Sequence, residues 1–170
     1  MNLPLYEPVH KKILWAEEVY KDIGLNLINI DTISSYISLL ERSARQCFRL
    51  MDEIGISRFC RECERIDGGS CCARGIEEYI SPVTILINRL MGVGLPDKRY
   101  DPKGCIFLGK EGCRLLVREA ICVNYICGKI EKNISPAELF PLREKEGEML
   151  SLLFFLSEEI KKALQSFGAG

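Results

Sequence analysis

Residues 31–54 read DTISSYISLLERSARQCFRLMDEI, and this stretch decides the fold class. Ile33, Ile37, Leu40, Ala44, Cys47, Met51 and Ile54 follow one another at strict four- and three-residue steps. An α-helix turns once in about 3.6 residues, so apolar side chains at that interval share one face. Asp31 suits the N-cap, where a carboxylate accepts from the free amides of the first turn. Gly55 suits the stop. The spacing therefore predicts a long amphipathic helix over 31–55. Cys47 lies on its apolar stripe and reads as a buried core thiol, since free cysteine packs as a small hydrophobe.

Outward from this helix the pattern stays helical. Val9, Ile13, Ala16, Tyr20 and Ile23 predict a helix over 8–23, with Pro8 at its start and Gly24 as its stop. At the other end Met149, Leu153, Leu156, Ile160, Ala163 and Phe167 form a stripe that predicts a helix over 141–166. Ser135-Pro136-Ala137-Glu138 reads as a capping box opening a short turn before it. Pro141 should force a restart, because proline lacks the amide hydrogen and crowds the preceding turn. A further helix is expected over 82–91, and Gly109-Lys110-Glu111-Gly112 suggests a small hairpin or metal knuckle around 105–116.

The middle of the chain is set apart by its cysteines. Eight of the nine fall at Cys60, Cys63, Cys71, Cys72, Cys105, Cys113, Cys122 and Cys127. A Cys-x-x-Cys pair lets two thiolates approach one ion from a single turn, as in zinc and iron–sulfur sites. The vicinal Cys71–Cys72 pair, whose side chains diverge, suits two sites or a site with one thiol beside it. In a reducing compartment, clustered cysteines are read as metal ligands in preference to disulfides. Between Arg58 and Arg118 there are eleven Lys or Arg against eight Asp or Glu, an excess of cations that would favour thiolates.

The ordered set resembles a known family. Cys60-x-x-Cys63 followed by Gly69-x-Cys71-Cys72 is similar to the first half of the CxxCxxCC signature of the YkgJ-type zinc- or iron-chelating proteins. Gly104-Cys105 to Leu108, Gly112-Cys113-Arg114-Leu115, Arg118 four before Cys122, and Tyr125-x-Cys127 look like that family's GCxxL…GCxIY…RPxxCRxFPC run. Seven residues stand between Cys63 and Cys71 where the family has two, and Glu119, Val123 and Ile126 replace its Pro, Arg and Pro. The resemblance spans about residues 60–128 and implies all eight cysteines as ligands.

Other chemistry finds little footing. His10 is the sole histidine, near the start of the first helix, and reads as a surface residue. There is no Walker loop, no GxGxxG and no nucleophile elbow. The net charge of −1 gives no field for nucleic acid or an anionic membrane. The start lacks the features of a signal peptide, and the longest apolar run, Leu152–Leu156, is too short to span a bilayer. The expectation is thus a single mainly α domain over 1–170, located in the cytoplasm. Its terminal segments would form a helical bundle around a cysteine-rich metal-binding region at 58–128. It would chelate zinc through those cysteines, or alternatively a 4Fe-4S iron–sulfur cluster in a redox or electron-transfer role. Catalytic residues are not identified, and whether the chain is an enzyme is open. The expected partners are a metal ion and, as a further candidate, another protein, with no nucleic acid and no membrane.

Overall fold

The computed structural model describes residues 3–66 and 71–168. Among these the chain is mainly helical. The helices are α1 Val9–Ile28, α2 Asp31–Glu53, α3 Ile56–Ile66, α4 Pro82–Leu90, the single turns α5 Ala120–Val123 and α6 Gly128–Glu131, and α7 Pro136–Ser166. A 3-10 turn covers Ile76–Tyr79, and the two short strands β1 Leu108–Gly109 and β2 Gly112–Cys113 pair antiparallel, with Leu108 opposite Cys113.

The α2 stripe behaves as its spacing requires. Ile33, Leu40, Ala44 and Cys47 are buried, and they pack along α7, whose own Met149, Leu153, Leu156 and Ile160 are buried. The Tyr36 ring stacks on Phe155 across this pair, with centroids 6.2 Å apart. A bend of 103° separates α1 from α2, and α1 lies against α4. No single helix among the described residues is long and apolar enough to cross a membrane.

Several boundaries differ from the sequence reading. Helix α1 runs through Gly24, which is buried in its interior. A Cβ there would come within 2.9 Å of the Tyr20 ring, so this glycine makes room for an aromatic side chain instead of ending the helix. Asp31 is the first helical residue, with Ile30 as N-cap, and its charge still complements the positive helix start. Helix α7 does not restart at Pro141. It opens at Pro136 under a complete capping box, in which the Ser135 hydroxyl accepts from the Glu138 amide and the Glu138 carboxylate accepts from the Ser135 amide. Pro141 lies close to that start, where it interrupts one turn, and buried Leu142 beside it keeps the helix seated.

The expected architecture, a terminal bundle around a metal-bound middle, is corrected. The middle is part of the hydrophobic core. Helix α4 is buried from Pro82 to Asn88, and Phe107, Leu115 and Val117 are buried with it. The Asn88 side chain donates to the carbonyls of Thr84 and Val117, each at 2.9 Å, and accepts from the Val117 amide at 3.0 Å. Glu119 accepts from the Ser81 amide and the Thr84 hydroxyl. The buried Lys12 ammonium of α1 donates to the carbonyls of Glu78 and Ile80. Within the loop, Ala73 bridges Gly104, the Arg74 amide donates to Lys103, and the Cys105 amide donates to Cys72, both at 2.8 Å. Buried Glu77 is ion-paired with Arg99. Polar groups taken out of water are costly unless bonded. These bonds satisfy them, and they give the ordering that a metal was expected to supply.

Candidate functional site: a cavity walled by thiols and aromatic rings

Cys60 and Cys63 sit three residues apart on α3, so they occupy one face of a helix, where a tight turn was expected. Cys60 is exposed, and the side chain of Cys63 lies outside the described residues. Cys71 and Cys72 lie in the segment leading to the 3-10 turn, Cys113 in β2, Cys122 on α5, and Cys127 at the N-cap of α6. Cys105 is buried just before β1.

Six of these residues, Cys60, Cys71, Cys72, Cys113, Cys122 and Cys127, line one cavity of about 610 Å³. Cys105 is not part of its wall, and Cys47 is in the core on α2. The rest of the wall is largely apolar. Phe48 and Met51 come from the end of α2, Ile56 and Phe59 from α3, Val123 from α5 and Ile130 from α6. Of the charged side chains on the wall, Glu146 is buried, Arg118 and Lys129 are half-buried, and Asp52, Arg61 and Glu111 are exposed.

Burial and neighbouring groups raise three thiols of the wall, Cys71, Cys113 and Cys122. Cys71 is pushed up by its hydrogen bond with Cys72, by burial, and by the thiols of Cys72, Cys60 and Cys127 nearby. Burial pushes Cys122 up to about 11 and also raises Cys113, against the attraction of Arg118. Cys105 is pushed up to about 12, chiefly by burial. Burial also raises the Glu146 carboxyl, although its Oε2 accepts from Arg143 Nη1 at 2.6 Å.

Arg118 is poorly satisfied by the chain. Its guanidinium carbon lies 4.9 Å from the centre of the Phe48 ring, and Nη2 is 3.5 Å from the Met51 sulfur, a weak acceptor. Its Nε is buried with no hydrogen-bond partner among the described residues.

This geometry overturns the metal centre. Among the described residues no group of three or more His, Cys, Asp or Glu side chains could hold a metal ion. The expectations of zinc, of an iron–sulfur cluster, of a chelating or redox function and of a metal ion as partner are corrected accordingly. The physical reason is that nearness in sequence does not make sulfurs converge. Cys105 is buried outside the cavity wall, and the Cys71 thiol is engaged in a hydrogen bond with Cys72. A ligating thiol must also give up its proton, which burial here opposes. His10 is exposed on α1.

The wall residues that sequence reasoning missed left two signals. Phe48 stands beside the α2 stripe next to Cys47, widening the apolar face at the end of the helix. Glu146 occupies the register of the α7 stripe, three before Met149, as a charge where an apolar residue is due.

The family resemblance does not stand either: the chain contains no CxxCxxCC run, since seven residues part Cys63 from Cys71. Comparison with protein-family models, with curated proteins and with solved structures finds no match.

Proposed function

We propose that this chain is a binding protein for a small, predominantly apolar molecule, taken up in the cavity between the end of α2, α3, the β1–β2 hairpin, α5 and α6. The observation that carries this reading is the cavity of about 610 Å³ walled by Phe48, Met51, Ile56, Phe59, Val123 and Ile126. Small-molecule sites are concave, mostly apolar and equipped with few polar groups, and this size is in their usual range. Cysteines fit such a wall, because free cysteine packs as a small hydrophobe. The cysteines on the wall, Cys60, Cys71, Cys72, Cys113, Cys122 and Cys127, thereby become contacts for the ligand's apolar body. A cytoplasmic location goes with this reading, because thiols left reduced suit a reducing compartment.

The test is titration with N-phenyl-1-naphthylamine, an uncharged apolar molecule whose fluorescence rises on leaving water. Saturable binding of one molecule per chain is expected. Ile126→Trp, which places a large ring in the cavity from a half-buried position, should weaken binding by about ten-fold while the thermal midpoint stays close to that of the parent. Fluorescence that never saturates, or binding equally tight in Ile126→Trp, would refute the proposal.

A further inference from the structure

We infer that the ligand is an amphiphilic carboxylate whose anionic end docks on Arg118, an assignment that rests on the reading of the cavity as a binding site for a small apolar molecule. A guanidinium offers five N–H donors in a planar fork. Arg118 uses this fork poorly within the chain. Its one hydrogen-bond contact among the described residues is the Met51 sulfur, its Nε is buried without an acceptor, and it takes part in no ion pair there. The Glu146 carboxyl feels the attraction of Arg118 but forms its ion pair with Arg143, so the site gains from an anion brought in from outside.

The nearest candidate within the chain is already committed. Glu146 lies on the same wall, but its carboxylate accepts from Arg143 at 2.6 Å, and Arg143 also donates to the backbone carbonyls of Val123 and Asn124. This network engages Glu146, while Arg118 lies on the cavity wall with no ion pair among the described residues. The chemistry of the fork selects a carboxylate, whose two oxygens match two parallel N–H donors. The Phe48 ring makes a cation–π contact with this guanidinium and backs it on the cavity wall. Much of the remaining wall is apolar, with Ile56 and Phe59 on α3, Ile126 before α6 and Ile130 on it. A molecule with one carboxylate and a hydrocarbon body satisfies both parts.

The experiment is competition of decanoate and 1-decanol, at neutral pH, for the site occupied by N-phenyl-1-naphthylamine. The two competitors share a chain and differ at the polar end. Decanoate should displace the probe at a concentration about ten-fold lower than decanol does, the ratio that a charge-assisted hydrogen bond provides. Arg118→Met should abolish this preference while decanol still displaces the probe, and Arg118→Lys, which keeps the charge without the fork, should retain part of it. Should Arg118→Met fail to fold, the reduced preference in Arg118→Lys decides. Equal displacement by the two competitors in the parent protein overturns the assignment and leaves the apolar cavity standing. So does a preference for decanoate that is undiminished in Arg118→Met or Arg118→Lys. Absence of saturable probe binding refutes the cavity reading and this one with it.

Discussion

Glu146 shows what a single charged residue does when a packed helix face closes over it. Its side chain is 5 % exposed, and the cost of burying the charge outweighs the attraction of Arg143 and Arg118, so its carboxyl is held above the ordinary range. A carboxyl with a raised pKa in the folded state binds its proton more tightly folded than unfolded. Its effect on stability is therefore favourable in acid and is lost as pH rises through the folded pKa. Glu146→Gln cannot ionise. The variant should match the parent in thermal midpoint in acid, below the ordinary carboxyl pKa of about 4.3, and gain on it as pH rises from there, because only the parent can take on the buried charge. A midpoint difference that is independent of pH would show that ionisation of Glu146 does not matter. Cys47, pushed up to about 11 mainly by burial, illustrates the same force on a thiol. The burial of Cys47 was readable from its place in the α2 register. The burial of Glu146 was not, because a charge on a stripe reads equally as a break in that stripe.

Among the elements, α7 depends most on its first turn. The Ser135 hydroxyl accepts from the Glu138 amide at 3.3 Å, while the Glu138 carboxylate accepts from both the Ser135 amide and hydroxyl, at 2.9 and 2.7 Å. Six residues on, Pro141 removes an amide from the helix, so the capping bonds anchor a turn with little else to hold it. Ser135→Ala should lower stability by about 1 kcal/mol in chemical denaturation, the usual effect of losing an N-cap. No measurable loss would mean that the burial of Leu142 alone seats the helix start. The capping box was legible because it is a local pattern, and its extent was misjudged because Pro141 was weighed without the packing behind it. Helix α3 was missed outright. Of its residues Ile56 is in the core, its apolar face is short, and the Cys-x-x-Cys spacing that it carries fits a metal turn as well as a helix face. The α2 and α7 helices were legible for the opposite reason: each has a stripe long enough to need a partner.

At the scale of the molecule, the cysteine-rich middle is held by the same core as the ends. One cluster of buried residues runs from Val9 in α1 through Ile85, Phe107 and Leu115 to Leu164 in α7. Loop residues 73–105 are closed by the Ala73–Gly104 bridge and by the amides of Arg74 and Cys105. Chelators should therefore leave the thermal midpoint unchanged, and the Arg74 and Cys105 amides should exchange slowly in native-state hydrogen exchange with or without them. Selective loss of protection at these two amides on chelation would restore a metal to the structure. The sequence by itself determined the helical class, the main helix faces, the capping box and the hairpin, because periodicity and caps act over a few residues. Tertiary structure alone decided where the thiols go. Cys60, Cys71, Cys113, Cys122 and Cys127 come from five separate segments, and their relative positions follow from how α3 and the hairpin dock on the core, not from their intervals along the chain. The same packing left Arg118 without a carboxylate and opened a cavity beside it, because Glu146, on a helix whose seat is set by its apolar stripe, reaches Arg143 instead.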